Sequence, residues 1–161
     1  MDNPIEFIIK TLFENKLTLS TCEISTGGII SSRFSSTDKT SKTYKGGYIC
    51  TNIEDIKNII NFINSAKLNI YGLVSEELCS DIAKQIVHNT KTDVCICVIS
   101  EDINKIINDK TINSAFLTIV LIDKIYVYKI NSNETEYNSI RNDFAASSIY
   151  KLFELIKKMN K

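Results

Sequence analysis

The chain has 161 residues, 19 basic and 19 acidic, so its formal net charge at neutral pH is zero and nothing in that balance draws it to nucleic acid or to an anionic membrane. Its length suits a single domain, residues 1–161, with a sizeable core; no apolar run reaches the roughly 18–20 residues of a membrane span, and the N-terminus lacks the basic start and cleavage site of a secretory signal. The five cysteines are odd in number, and Cys95-Ile96-Cys97 has the wrong spacing for a Cys-x-x-Cys pair, so they read as small buried hydrophobes of a reduced, cytosolic protein.

Asn3 has N-cap chemistry, with Pro4 at the first helical position and Glu6 placed to complete a capping box. Ile5, Ile8, Ile9, Leu12 and Phe13 recur at helical spacing, which predicts an amphipathic helix to about Glu14. Residues 17–22 read as a first strand, 29–34 as helix-like, 35–45 as a Ser/Thr/Lys-rich loop and 48–51 as a second strand. Ile53, Ile56, Ile59, Ile60 and Ile63 predict a helix after it. Ser75 is placed as an N-cap with Glu76 and Glu77 near the positive helix end, and Leu78, Ile82 and Ile86 form that helix's buried face. Residues 94–99 are continuously apolar, as a strand covered on both faces would be.

Residues 116–122 and 125–130, turning at Asp123-Lys124, predict an antiparallel hairpin on which Tyr126 and Tyr128 share a packing face. A last helix starts near Ser139 and buries Ile140, Phe144, Leu152, Leu155 and Ile156. Alternating helices and strands with a late hairpin imply a mixed sheet between helical layers. His88, the only histidine, stands near a helix C-terminus and reads as structural. Without further histidines or cysteines at ligand spacing, no zinc site is expected.

Between the first strand and the next helix lies Thr21-Cys22-Glu23-Ile24-Ser25-Thr26-Gly27-Gly28. A hydroxyl-rich turn with paired glycines lets a polar ligand approach the backbone, and a helix start offers free N–H groups to an anion. Leu17-Thr18-Leu19-Ser20-Thr21-Cys22-Glu23, then Ser25-Thr26-Gly27-Gly28, resembles the Leu-Thr-Leu-Ala-Thr-Ala-Glu-Ser-Cys-Thr-Gly-Gly signature of the CinA C-terminal domain family. That family includes the nicotinamide mononucleotide (NMN) amidohydrolases. Further matches follow in order: Gly46-Gly47-Tyr48-Ile49, Gly72-Leu73-Val74-Ser75-Glu76-Glu77, the strand opening at Asp93-Val94, and Ile140-Arg141. They span Leu17 to Leu155. The resemblance implies a three-layer α/β/α sandwich with a mixed central sheet, a homodimer, and a hydroxyl nucleophile assisted by lysine. It implies neither metal nor cofactor, and a nucleotide-like small molecule as ligand.

Position by position, the catalytic motifs are missing. The motif serine falls on Ile24, while Glu23, Thr26, Gly27 and Gly28 match. A Gly-Ser-Ser stretch falls on Lys39-Thr40-Ser41, the motif tyrosine on Thr51 and the motif lysine on Ile56, with Lys57 one place further. The Gly-Ile-Ala-Gly-Pro loop is replaced by Ser100-Glu101-Asp102-Ile103-Asn104. The arginine before the last helix falls on Tyr137, although Arg141 matches a family arginine within it. Isoleucine cannot be a nucleophile, so impaired or lost catalysis is expected. The substrate-binding positions Glu23, Thr26, Gly27, Gly28 and Arg141 would retain nucleotide binding.

Two alternatives stay open. The first is an active deamidase using Ser25 or Ser41 with Lys57. On a helix a one-residue displacement turns a side chain by about 100°, which weakens Lys57 as a substitute; its plain reading is a solvated lysine, and that of Ser25 a helix cap. The second is a non-catalytic dimeric interaction protein. Lys39, Lys42 and Lys45 form a basic loop, solvated or receiving a phosphate.

Overall fold

A computed structural model of the chain describes residues 3–36, 40–51, 55–56, 74–100, 106–107, 110–111 and 113–159. Within them the elements run α1 (Pro4–Glu14), β1 (Leu19–Glu23), α2 (Ile29–Ser35), α3 (Thr40–Thr43), β2 (Tyr44–Ile49), α4 (Glu76–Thr90), β3 (Val94–Ser100), β4 (Ile106–Ile107), β5 (Lys110–Thr111), β6 (Ser114–Leu121), β7 (Lys124–Asn131) and α5 (Tyr137–Met159). The main sheet has the order β2-β1-β3-β6-β7. Its β1–β2 and β1–β3 pairs are parallel, and β3–β6 and β6–β7 antiparallel. The mixed central sheet is thereby observed, its antiparallel part made by the expected hairpin.

Strand periodicity divides the core into two layers. On β3, Val94, Ile96 and Val98 join Leu19 of β1 under α1, α2 and α5, which contribute Ile8, Ile9, Leu12, Ile30, Phe34, Ile140, Phe144, Leu152 and Ile156. Cys95, Cys97 and Ile99 point the other way, with Cys22, into a second cluster closed by Leu78, Cys79, Ile82, Ala83 and Ile86 of α4. Helices on both faces of the sheet make the three layers.

The caps behave as their chemistry directs, with one difference. The Asn3 side-chain oxygen accepts from the Ile5 N–H at 3.1 Å. Its amide donates to Glu6 Oε1 at 3.4 Å, so Glu6 meets the cap's side chain rather than its backbone N–H. Ser75 caps α4 by accepting from the Leu78 N–H at 3.1 Å.

Three boundaries depart from the sequence reading. The polar stretch 35–45 is not wholly loop: it contains α3, and β2 begins at Tyr44 rather than Tyr48. Gly47 explains why apolar alternation does not mark this edge strand, since a Cβ there would stand 2.0 Å from Thr21 Oγ1. The hairpin turns at Ile122-Asp123, with Ile122 at φ 59°, and Lys124 is already paired with Leu121. Helix α5 starts at Tyr137, ahead of Ser139. Of the helix expected from Ile53 to Ile63, Asp55 and Ile56 are helical and the rest lies outside the described residues.

Candidate functional site

The topology selects a place before any side chain does. From β1 the sheet continues to β2 on one side and to β3 on the other, all three parallel. In open α/β sheets a ligand crevice forms outside the carboxyl ends of strands at such a switch point. Here the Ile24 N–H donates to the Val98 carbonyl at 3.0 Å and the Cys50 N–H to the Glu23 carbonyl at 2.9 Å, which ties the three strand ends together. Residues 24–28 then turn into α2.

Because side chains alternate along β1, Glu23 faces α2 while Ile24 faces the α4 layer. Glu23 is fully buried. One carboxylate oxygen accepts from the Gly28 and Ile30 N–H groups, both at 3.1 Å, and from the Thr26 hydroxyl at 2.5 Å. The other accepts from the Ser31 N–H at 2.8 Å and the Ser31 hydroxyl at 2.5 Å. Ser31 has a single hydroxyl proton and gives it to Glu23, so the 2.8 Å bond from Thr21 Oγ1 to Ser31 Oγ has Thr21 as donor. Tyr44 in turn donates to Thr21 at 2.8 Å. The sequence reading did not find Thr21, Ser31 and Tyr44, because their partner is a carboxylate on a neighbouring element rather than one at a helical or strand spacing.

The paired glycines have separate reasons. Gly27 has φ 58°, and a Cβ on it would lie 1.7 Å from Arg141 Nη2. Gly28 has φ 91° and lies against Ile49, whose Cδ1 is 3.0 Å from the corresponding point. Both need left-handed backbone, which glycine adopts without a Cβ penalty. Arg141 donates through Nη2 to the Thr26 carbonyl at 3.1 Å and through Nη1 to Asn138 Oδ1 at 3.5 Å. Its Cζ stands 5.2 Å from the centre of the Tyr137 ring. Its Nε is shielded from solvent and has no partner among the described residues.

Ile24 is 3% exposed and Ile56 0%, and both belong to the apolar cluster that holds Cys22, Cys50 and Leu78. The two positions where the motif serine and lysine would stand are thus part of one hydrophobic layer. Ser25 does not cap α2: the N-cap is Gly28, with no side-chain cap bond, because Glu23 reaches those N–H groups. The Ser25 Oγ is shielded and unpartnered among the described residues. Ser41 has its backbone in α3, while its side chain and all of Lys57 lie outside the described residues. Thr51 is exposed and donates to Asp55 Oδ2 at 3.1 Å.

Of the basic loop, Lys42 lies 5.8 Å from the centre of the Phe13 ring, and Lys39 lies outside the described residues. His88 is in the last turn of α4, its Nδ1 3.4 Å from Asn89 Oδ1. All five cysteines are buried free thiols. Burial, then Cys22 and Asp55, pushes the Cys50 thiol up to about 11. Burial raises Cys95 and Cys97 well above the usual thiol range. Such thiols carry almost no thiolate at neutral pH and are poor nucleophiles. An open groove of about 840 Å³ lies elsewhere, among Asn3, Glu6, Ser32, Arg33, Ser147 and Tyr150, and holds none of the candidate site residues.

Comparison with known proteins adds an independent line. Residues 2–156 match the profile of the CinA C-terminal domain. A CinA-like protein of Flavobacterium psychrophilum is 28% identical over 99% of this chain, which spans only 38% of that relative's length. The Protein MG115 homolog of Mycoplasma pneumoniae is 21% identical over 95% of this chain and 97% of its own. Among solved structures, a competence-damaged protein (CinA) superfamily protein from Klebsiella pneumoniae aligns with a TM-score of 0.85 at 16% identity, over 98% of this chain and 99% of the other. One from Enterobacter cloacae gives 0.86 at 18%, over 97% and 95%. At these identities the structural likeness bears on the fold alone.

Proposed function

The chain belongs to the CinA C-terminal domain family, and on that premise we propose that it is a homologue of the NMN amidohydrolases that has lost turnover and keeps a cleft for a nucleotide-like small molecule. One observation carries this reading: Ile24 and Ile56 are buried in the same apolar cluster. Hydrolysing a carboxamide takes an activated nucleophile and a group that accepts its proton. At these two positions the chain offers neither a hydroxyl nor an amine. A lysine would also be costly there, since an unpaired charge in an apolar layer is strongly disfavoured. Cys50, Cys95 and Cys97 do not replace the serine, because burial holds them as thiols.

The well-defined glycine turn supports the binding half of this reading: Gly27 and Gly28 are left-handed, the Thr26 hydroxyl donates to Glu23, and Arg141 holds the turn through the Thr26 carbonyl. Calorimetric titration of the purified chain with nicotinamide-containing nucleosides and nucleotides, alongside an ammonia-release assay, tests both halves. The reading expects binding heat and no ammonia. Silence in both leaves the chain a structural or protein-binding domain.

A further inference from the structure

We propose that the outer edge of β7 is where a second copy of this chain docks, the two β7 strands pairing antiparallel about a two-fold axis at Val127 so that one sheet runs through both copies. The inference does not depend on the reading of the glycine turn.

Strand β7 ends the main sheet, and among the described residues it pairs only with β6. That pairing runs through all eight residues, Lys124–Asn131, without a register shift. The strand contains neither proline nor glycine. In an antiparallel ladder alternate residues turn their N–H and C=O away from the paired neighbour, so the outer side of β7 offers a regular row of donors and acceptors. Such an edge is a template for another strand unless it is short, bulged, proline-bearing or charged. Only the last applies, through Lys124 and Lys129.

The same hairpin exposes apolar side chains. Ile125 is 42% exposed, and Ile122, in the turn, 48%. Ile122 holds φ 59°, a left-handed backbone that strains a β-branched residue. A glycine or asparagine would relieve that strain, and an isoleucine half in solvent gains its own chain little in return.

A second copy is the occupant because the edge is complementary to itself. A two-fold axis perpendicular to the sheet keeps each face on its own side, and directly opposed residues of an antiparallel pair share a face. With the axis at Val127, Tyr126 of one copy opposes Tyr128 of the other, Ile125 opposes Lys129, and Lys124 opposes Ile130. Each lysine stem then lies beside an isoleucine, and the tyrosines form cross-strand aromatic pairs, which favour a sheet. An axis at Lys124 or Lys129 would instead set like charges directly opposite one another, which is destabilising. The lysines that discourage indiscriminate pairing thus leave this register open. An isologous contact of this kind closes after two copies.

Sedimentation velocity of the full chain at micromolar concentration tests this, and a dimer is expected. Ile125→Lys places a lysine against Lys129 of the other copy at two symmetric points and should weaken association by about tenfold or more. Adding Lys129→Glu to that variant should restore the dimer, since the new cross-copy pair has opposite signs. Within one copy the two positions are four residues apart along the strand, about 13 Å, so the rescue reports contact between copies. Thermal melts verify folding, which the exposure of Ile125 favours. A monomeric parent overturns the inference and leaves the reading of the glycine turn as it stands. A dimer that Ile125→Lys leaves intact lies on another surface and overturns it too, as does failure of Lys129→Glu to restore association.

Discussion

Replacing the Glu23 carboxylate by an amide places an NH₂ group where an oxygen now accepts hydrogen bonds from backbone N–H groups and hydroxyls. Donors would face donors in a fully buried setting. Glu23→Gln should therefore cost about 2–4 kcal/mol, at the upper end for one side chain because the bonds are charge-assisted and the orphaned groups stay buried. Urea denaturation measures it; a loss below about 0.5 kcal/mol would show that the network carries little. The two isoleucines give the complementary case. Ile24→Ser removes a packed side chain and buries a hydroxyl, for about 2–5 kcal/mol, and Ile56→Lys should cost more because it buries a charge. Equal denaturation midpoints for Ile56→Lys and the parent would mean that this position is not the sealed layer described above.

At the scale of elements, what the sequence made legible follows from how local each signal is. Helices α1 and α4 carried their caps and apolar stripes within a few residues, and β3 was legible because burial on both faces makes a run of seven apolar or small residues. Strand β2 was not. Its Gly46-Gly47 pair and exposed edge erase the alternation, and the reason for Gly47 is a residue on another strand. The role of Glu23 was hidden for the same reason. A motif shows that a glutamate recurs before a glycine turn, but not that it closes back on the helix that follows.

The thiol layer between β1, β3 and α4 makes a prediction at this same scale. Cys50, Cys95 and Cys97 have folded-state pKa values above those of an unfolded chain. A group shifted upward contributes stability that is fully present below its unfolded pKa and lost as pH rises through its folded one. Stability should therefore be flat below about pH 8 and fall as pH climbs toward the Cys50 value of about 11. Denaturation at a series of alkaline pH values reads the slope, and Cys50→Ala should make it shallower. A slope the same in parent and variant would contradict the assignment to Cys50.

For the molecule as a whole, the mixed sheet between helical layers is the family's fold, and on the reading proposed above the nucleophile and base positions fall on residues of the core. Ile24 and Ile56 both belong to the apolar cluster beneath α4. On that reading, neither position supplies a nucleophile or a base. Ammonia release from NMN by the purified chain, followed with a coupled enzyme over hours at high protein concentration, tests this most directly. The account predicts no release above the no-protein control, in the parent and in Ser25→Ala alike. Sustained release by the parent that disappears in Ser25→Ala would contradict it, and would make the shielded hydroxyl beside Ile24 the nucleophile.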